Sequence, residues 1–547
     1  MRRTLILLGF LLFSTGAFAQ TPTIASVVNG ASYANAALSN GGIAQGSLFI
    51  IFGSNMGPAS LAGAPRLPLE TSLAGTSIRV TSGGTTVQPY MIYTLAGQVA
   101  AVMPSNTPTG AATLTLTYNG ASSAPFNVQV VSSSFGIFTL NQGGSGAAVI
   151  TDGNGVAITS LNSARPGQTL ILWGTGLGPV TGNEAGAGIF GDLNVPVDVL
   201  IGTSHATIVY KGRASCCVGL DQINFVVPSN QSGCNVAVAL KINNIVSNFT
   251  TIAISNTATC SDPNGFPPSL LQTLESRGSI NIGAVELSKT TTTSSFALPG
   301  QPATTVFDSG GGSFFRITRD RFLQTQGFGG SSSVSVGGCY VTQFVGGSGG
   351  GSAVLAGYTG LDAGAQLTVN GPTGARTMPK LSQVPGTYGA QLNSQGTTYL
   401  GNGTFTVLGD GGADVGAFQV PINGTVVNWQ NNNITTVNRS QDLTITWLGG
   451  SGSGIVEIFG TSTAALTQNS PSAAFICLAP ANAGSFTVPS AVLLALPPSA
   501  TQSAGGFTFS LGTLSVGGQT LNPFTASGLD FAVGVYSDLT GKSVTYQ

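Results

Sequence analysis

The sequence predicts an all-β protein: tandem immunoglobulin-like β-sandwiches followed by a further β-rich region of one or two domains. Three observations carry this. Short runs rich in Val, Ile, Leu and Thr alternate with Gly, Pro and Asn clusters along the chain, with almost no helical periodicity. The stretch Gly46-Ser-Leu-Phe-Ile-Ile-Phe-Gly-Ser-Asn-Met-Gly-Pro58 returns 121 residues later as Gly167-Gln-Thr-Leu-Ile-Leu-Trp-Gly-Thr-Gly-Leu-Gly-Pro179. Charged residues are only 6% of the chain and Gly numbers 79, against about 25% charge in ordinary soluble proteins. A neutral polar surface of Ser, Thr, Asn and Gly suits an extracellular scaffold.

The N-terminus reads as a secretory signal peptide over 1–19. It has a basic head at Arg2 and Arg3, an apolar run from Leu5 to Phe13, and Ala17-Phe18-Ala19 before Gln20. The run is too short for a spanning helix of about 20 residues. Its removal leaves 15 basic and 18 acidic residues, too few cations for a phosphate-binding face, so nucleic acid is set aside as a partner. No second stretch of membrane length follows.

Two domains come from the duplication, 20–135 and 136–258. Beyond the first match, Gln98-Val-Ala-Ala-Val-Met-Pro104 corresponds to Gln222-Ile-Asn-Phe-Val-Val-Pro228, and 110–130 to 233–254. Strands are expected at 48–52, 113–118 and 127–131 in the first copy, and at 169–173, 195–201 and 236–242 in the second. A linker, 259–278, holds the one convincing helix: Ser269-Leu-Leu-Gln272 offers a capping box, Leu270, Leu271 and Leu274 an apolar stripe, and Gly278 a stop. That helix is expected to pack at the joint between halves. A shorter helical turn is expected at 490–496. The rest divides into two β-rich units, 279–425 and 426–547, with strands at 314–317, 366–369, 404–408, 443–447, 455–459 and 507–511. The Gly and Ser run 346–352 lies among them.

Six cysteines in an exported chain are compatible with three disulfides. If 221–228 is a strand, Cys234 opens its antiparallel partner, and a hairpin at Asn243-Asn244 returns the chain to the same end, where Cys260 follows. Cys234 therefore pairs with Cys260. Cys216 and Cys217 lie before the opposite end of that strand, beyond the 7 Å or so that a disulfide tolerates. They form a vicinal bridge, or their loop folds back. Cys339 and Cys477 then join each other, which requires the two C-terminal units to touch or to be one. Zinc needs a cluster of Cys and His, and the chain has one His.

The segments Gly167 to Pro179, Gly219-Leu-Asp-Gln-Ile-Asn-Phe-Val-Val-Pro228 and Val246-Ser-Asn-Phe249 resemble the repeat known as the Solibacter uncharacterised C-terminal domain. Its strand pattern is similar to the immunoglobulin-like IPT/TIG modules of cell-surface proteins. The resemblance spans 24–256 and is stronger in the second copy, since the first has Gln98-Val-Ala-Ala where the family favours Gln-Ile-Asn. It implies export and fold, and no reaction.

No catalytic constellation stands out. His205, the only His, sits in a hairpin-like stretch and reads as a surface residue rather than a triad member. Gly346-Gly-Ser-Gly-Gly350 fits the nucleophile-elbow pattern without its strand-to-helix context. Gly186-Ala-Gly-Ile-Phe-Gly191 fits a dinucleotide fingerprint without the helix that would meet a phosphate. Five Glu and 13 Asp stand in no recognisable motif, although glycoside cleavage needs only two well-placed acids. Asp410-Gly-Gly-Ala-Asp414 is the best local calcium candidate, yet reads better as a Gly-rich turn, so no cofactor and no metal is expected. Trp429 and Tyr399 lie near turns where an aromatic platform for sugar could form, whereas Trp173 reads as core. The expected function is non-catalytic surface adhesion, extracellular structure or ligand binding, with an extracellular glycan or a surface protein as partner. The alternative is an extracellular polysaccharide hydrolase with its site in 279–547.

Overall fold

The computed structural model describes residues 20–186, 193–262, 267–293, 303–325, 334–345, 358–394, 397–401, 403–424, 426–450, 454–467, 469–504 and 507–547. The signal segment 1–19, the run 346–352 and most of the 186–191 fingerprint lie outside them.

The first repeat is a two-layer sandwich. One sheet holds β1 (Thr23–Asn29), β2 (Leu48–Ser54), β3 (Tyr90–Leu95) and β4 (Gln98–Val102), in the antiparallel order β1-β2-β4-β3. The facing sheet is built on Thr76–Ser82, Gly110–Tyr118 and Phe126–Val131. Side chains alternate across a strand, so Phe49, Ile51, Val99 and Ala101 point inward to meet Ile78, Val80, Leu114, Leu116 and Val130.

The second repeat reproduces this arrangement. β5 (Gly136–Ile137), β6 (Thr169–Thr175), β7 (Thr207–Arg213) and β8 (Asp221–Val226) pair in the order β5-β6-β8-β7. Leu170, Leu172, Ile223 and Phe225 face a second sheet whose centre is β9 (Gly233–Ile242). Even the irregularities match, because β3 is bulged between Met91 and Tyr93 and β7 between Ile208 and Tyr210.

The two repeats meet strand for strand. The end of β1 reaches the start of β5, where Asn29 Nδ2 donates to Ser134 O at 3.2 Å. The end of β6 reaches the start of β2, where Leu48 N donates to Thr175 Oγ1 at 2.8 Å. The end of β4 abuts Gly219, just before β8, where an added Cβ would lie 2.8 Å from Val102 Cγ2. Equal polarity and equal lateral order make the two homologous sheets one continuous surface. Arg213 locks this joint: Nη1 pairs with Asp221, and Nη2 donates to Gly46 O in the first repeat and Gly178 O in the second, each at 2.8 Å.

Helix α1 (Pro268–Arg277) follows, as expected, at the joint with the C-terminal half. Leu270, Leu271 and Leu274 pack among Cys234, Ala253 and Cys260 of the second repeat and Ile280, Ile282 and Ile317 beyond it. Gly278 ends it in the left-handed region, φ 74°, with its N–H on Leu274 O. The N-terminal cap is Pro267 with no side-chain hydrogen bond, and not Ser269. Pro268 at the first position has no N–H to satisfy and a preset φ, so the helix starts earlier without a capping box.

The C-terminal half centres on one ten-stranded sheet. Its long strands are β10 (Ser279–Thr293), β11 (Thr304–Thr318), β12 (Gly338–Val345), β13 (Ile455–Thr463), β14 (Pro471–Pro480), β15 (Gly512–Phe524) and β16 (Phe531–Tyr546), in the order β12-β14-β13-β15-β16-β10-β11. Strands from both sides of residue 426 thus share one hydrogen-bonded sheet, and the cut between 279–425 and 426–547 runs through it. Two small sheets cover one face: Leu367, Val369, Phe405 and Val407 pack on Val285, Leu287 and Phe314, while Ile445, Trp447 and Val488 pack on Ile458, Phe475 and Val516. The second repeat covers the β12 edge with Ala237, Ala239, Val246 and Phe249. There Tyr340 Oη donates to Phe249 O at 2.9 Å and accepts from Gly146 N at 3.3 Å.

Candidate functional site

All six cysteines are paired, as Cys216–Cys217, Cys234–Cys260 and Cys339–Cys477. The hairpin at Asn243-Asn244 forms as expected, but the strand that Cys234 opens is not the partner of 221–228, since β8 and β9 belong to opposite sheets of the sandwich. What aligns Cys234 with Cys260 is the pairing of β9 with Thr250–Ile254, in which Gly233 opposes Ile254. Cys339 and Cys477 stand directly opposite on β12 and β14. The vicinal pair lies exposed in the loop between β7 and β8, three residues beyond Arg213.

The sugar-platform candidates are overturned. Trp429 is 4% exposed and Tyr399 6%, each in the core beneath a small sheet. Trp173, read from the sequence as core, sits on the outward side of β6, half-buried, with Nε1 donating to Thr151 Oγ1 at 3.0 Å. Asp414 belongs to a loop clasp: its Oδ2 accepts from Asp362 N at 2.8 Å, and Asp362 Oδ1 lies 2.6 Å from Lys380 Nζ. That lysine holds Asp362 below the usual carboxylate range. Among the described residues no three His, Cys, Asp or Glu side chains group as metal ligands would.

His205 opposes Leu200 in a hairpin, and its Nδ1 lies 2.6 Å from Asp198 Oδ1 with most of the ring in solvent. Asp198 also meets Lys241 at 3.6 Å. Asp198 thus joins His205 and Lys241 in one network at the surface.

The acids are more informative. Glu70 pairs with Arg66, Glu275 with Arg319, and Glu184 accepts from Ser105 N at 2.6 Å. Glu286 and Glu457 remain, with no hydrogen bond or ion pair among the described residues. Register places them on one face of the large sheet: Glu457 opposes Gly517, which opposes Leu539, while Glu286 opposes Val535 on the same strand as Leu539. Residues 535 and 539 differ by an even number, so their side chains share a side. Burial first, and the charge of Glu286 second, push Glu457 up to about 7. The walls around Glu286 dehydrate it and raise it as well, although its tip still meets solvent.

Glu286 lines a trough of about 530 Å³ on this face, with Ser288, Ser309, Gly311 and Ser313 below and Leu381 and Val384 at its rim. The floor is low because Gly311 and Gly389 oppose each other where side chains would otherwise stand. The sequence could not signal this pair: the two glutamates sit in strands far apart in the chain, and only sheet order puts them on one face, with β15 and β16 between them.

No family model and no curated protein matches the chain. Among solved structures, domains 5–6 of the S-layer protein SbsC are similar at 11% identity, covering 43% of this chain and all of that one, with a TM-score of 0.16. Domains A168–A170 of titin give 9% identity, 71% and 91% coverage and a TM-score of 0.14. SbsC domains 4–9 give 10%, 95% and 82%, with 0.17. Superposition this poor carries no structural argument; the all-β tandem architecture rests on the sheets themselves.

Proposed function

We propose that the chain is an exported, disulfide-braced, non-catalytic scaffold that works at a cell surface, in adhesion, extracellular structure or ligand binding. The duplicated module is read as two copies of the Solibacter family repeat that it resembles. The observation that carries the proposal is the joint at Arg213, a buried ion pair whose spare donors bridge both repeats. Breaking a buried ion pair is strongly destabilising, so this joint holds the modules in one arrangement, and a fixed arrangement of modules is what a surface scaffold needs. Three disulfides support an oxidising compartment. No described helix is long and apolar enough to cross a membrane, so attachment would come through partners. The test is fractionation of cells expressing the tagged chain: retention at the surface supports the reading, and exclusive recovery inside the cell contradicts it.

Two unpartnered glutamates with raised pKa on one sheet face are the kind of pair that glycoside cleavage uses. Polysaccharide hydrolysis by the purified chain, abolished by Glu457→Gln, would replace the first reading.

A further inference from the structure

The outward face of the first sheet in each repeat carries the same constellation. In the first repeat Phe52 on β2 stands directly opposite Gln98 on β4. In the second, Trp173 on β6 stands opposite Gln222 on β8. A tyrosine completes each set, Tyr93 opposite Ala100 and Tyr210 opposite Asn224, both just after the matching bulges. These positions lie on the side away from the sandwich cores, because Phe49, Ile51 and Val99, and Leu170, Leu172 and Ile223, take the inward side. Inward residues are held by packing. In the first copy Phe52 and Tyr93 rest on a small outer cluster of Val28, Ile50 and Ala100, and both copies place a glutamine opposite the outer aromatic.

We infer that Phe52 with Gln98 and Trp173 with Gln222 are two equivalent subsites for an uncharged polysaccharide. The inference deepens the scaffold reading by naming its ligand, and rests on that reading. Half-buried rings offer a flat apolar face with fixed orientation, suited to the C–H face of a sugar. Phe52 is steadied by Tyr33, with ring centroids 6.3 Å apart, and Trp173 by its bond to Thr151. The amides supply donors and acceptors together, as vicinal hydroxyls require. Gln98 Nε2 is oriented by Tyr93 Oη at 2.6 Å and Gln222 Nε2 by Asn224 Oδ1 at 2.8 Å. In each case the carboxamide oxygen has no protein donor among the described residues.

Charge and continuity select the ligand. Phe52, Tyr93 and Gln98 in one copy, and Ile171, Trp173, Tyr210, Gln222 and Asn224 in the other, are partly exposed and include no carboxylate and no cation, which suits a neutral chain. β6 runs end to end into β2, so the two rings lie on one surface about 25 Å apart at the rise of a strand. The Arg213 joint holds that spacing, and a polymer could engage both subsites at once.

Affinity electrophoresis of the disulfide-intact chain through gels containing hydroxyethyl cellulose, xyloglucan or galactomannan tests this, with polygalacturonate as the anionic control. Retardation by at least one neutral polymer is expected. Trp173→Ala should weaken it about 100-fold by ending two-point attachment, Phe52→Ala with Trp173→Ala should abolish it, and Trp173→Phe should largely retain it. If Trp173→Ala loses its β-sheet circular dichroism, Gln222→Ala serves in its place. Absence of retardation in all three neutral gels, equal retardation by polygalacturonate, or unchanged retardation of the double variant would overturn the inference. Surface retention is scored separately: a double variant that stays at the surface leaves the scaffold reading intact, and a wild-type chain that binds polymer but is never exported removes only that reading.

Discussion

At the scale of single residues, Arg213 and Glu457 make opposite demands. Arg213 satisfies a carboxylate with no solvent contact and two carbonyls from different modules. Arg213→Met leaves Asp221 buried and unpaired, which should cost about 3–5 kcal/mol. Guanidinium unfolding monitored by Trp fluorescence measures it, and a loss below about 1 kcal/mol would show that the joint does not depend on this pair. Glu457 is instead a charge that the fold disfavours. Its folded pKa of about 7 lies above the ordinary 4.5, so the native state binds the proton more tightly and stability falls as pH rises from about 4.5 to about 7. Melting temperature should decline across that window and level off above it, and Glu457→Gln should flatten the decline. A wild-type profile that rises across the window would reverse the assignment. Which side of a strand Trp173 occupied was hidden in the sequence for a simple reason. Leu-Ile-Leu-Trp is apolar on both parities, so period-two alternation gives no sign of which side is core. The same holds for Phe-Ile-Ile-Phe at 49–52.

At the scale of elements, the twelve strand ranges expected from local signals all fall on strands, most with ends within two or three residues, because β-branched runs between turn residues define them. By contrast, β10, β12, β14, β15 and β16 of the large sheet were not among them. Local signals also located α1, whose three leucines were visible at helical spacing. Leu271 is fully buried between halves, and Leu271→Ala should destabilise the fold by about 3 kcal/mol. Partners of strands were less legible. β8 and β9 are adjacent in sequence and read as a hairpin, but a sandwich connection carries the chain across to the other layer, which no local residue announces. The six-residue connection Val227–Ser232 is long enough for either. The bridge between Cys339 and Cys477 ties strands 138 residues apart. Replacing both by Ser should cost about 4 kcal/mol, since loop-closure entropy grows with the chain enclosed. A change under 1 kcal/mol in denaturant titrations of the double variant would mean that the sheet alone holds β12 on β14.

At the scale of the molecule, the repeats were legible because a duplication is written in the sequence. Their mutual placement was not, since it depends on side chains such as Asn29 and Arg213 meeting backbone groups of the other copy. The sharing of one sheet by 279–425 and 426–547 was equally hidden, because it follows from the order in which distant strands pair. The face that carries Glu286 and Glu457 exists only through that order. The account therefore stands or falls on rigidity: two like modules, welded by a buried ion pair, presenting one continuous sheet surface. The direct measurement is a distance distribution between nitroxide labels on unnatural amino acids at Asn119 and Asn230, one in each repeat and both exposed. A rigid joint gives a single narrow peak that broadens in Arg213→Met; a broad distribution in the unmodified background means that the two modules move independently.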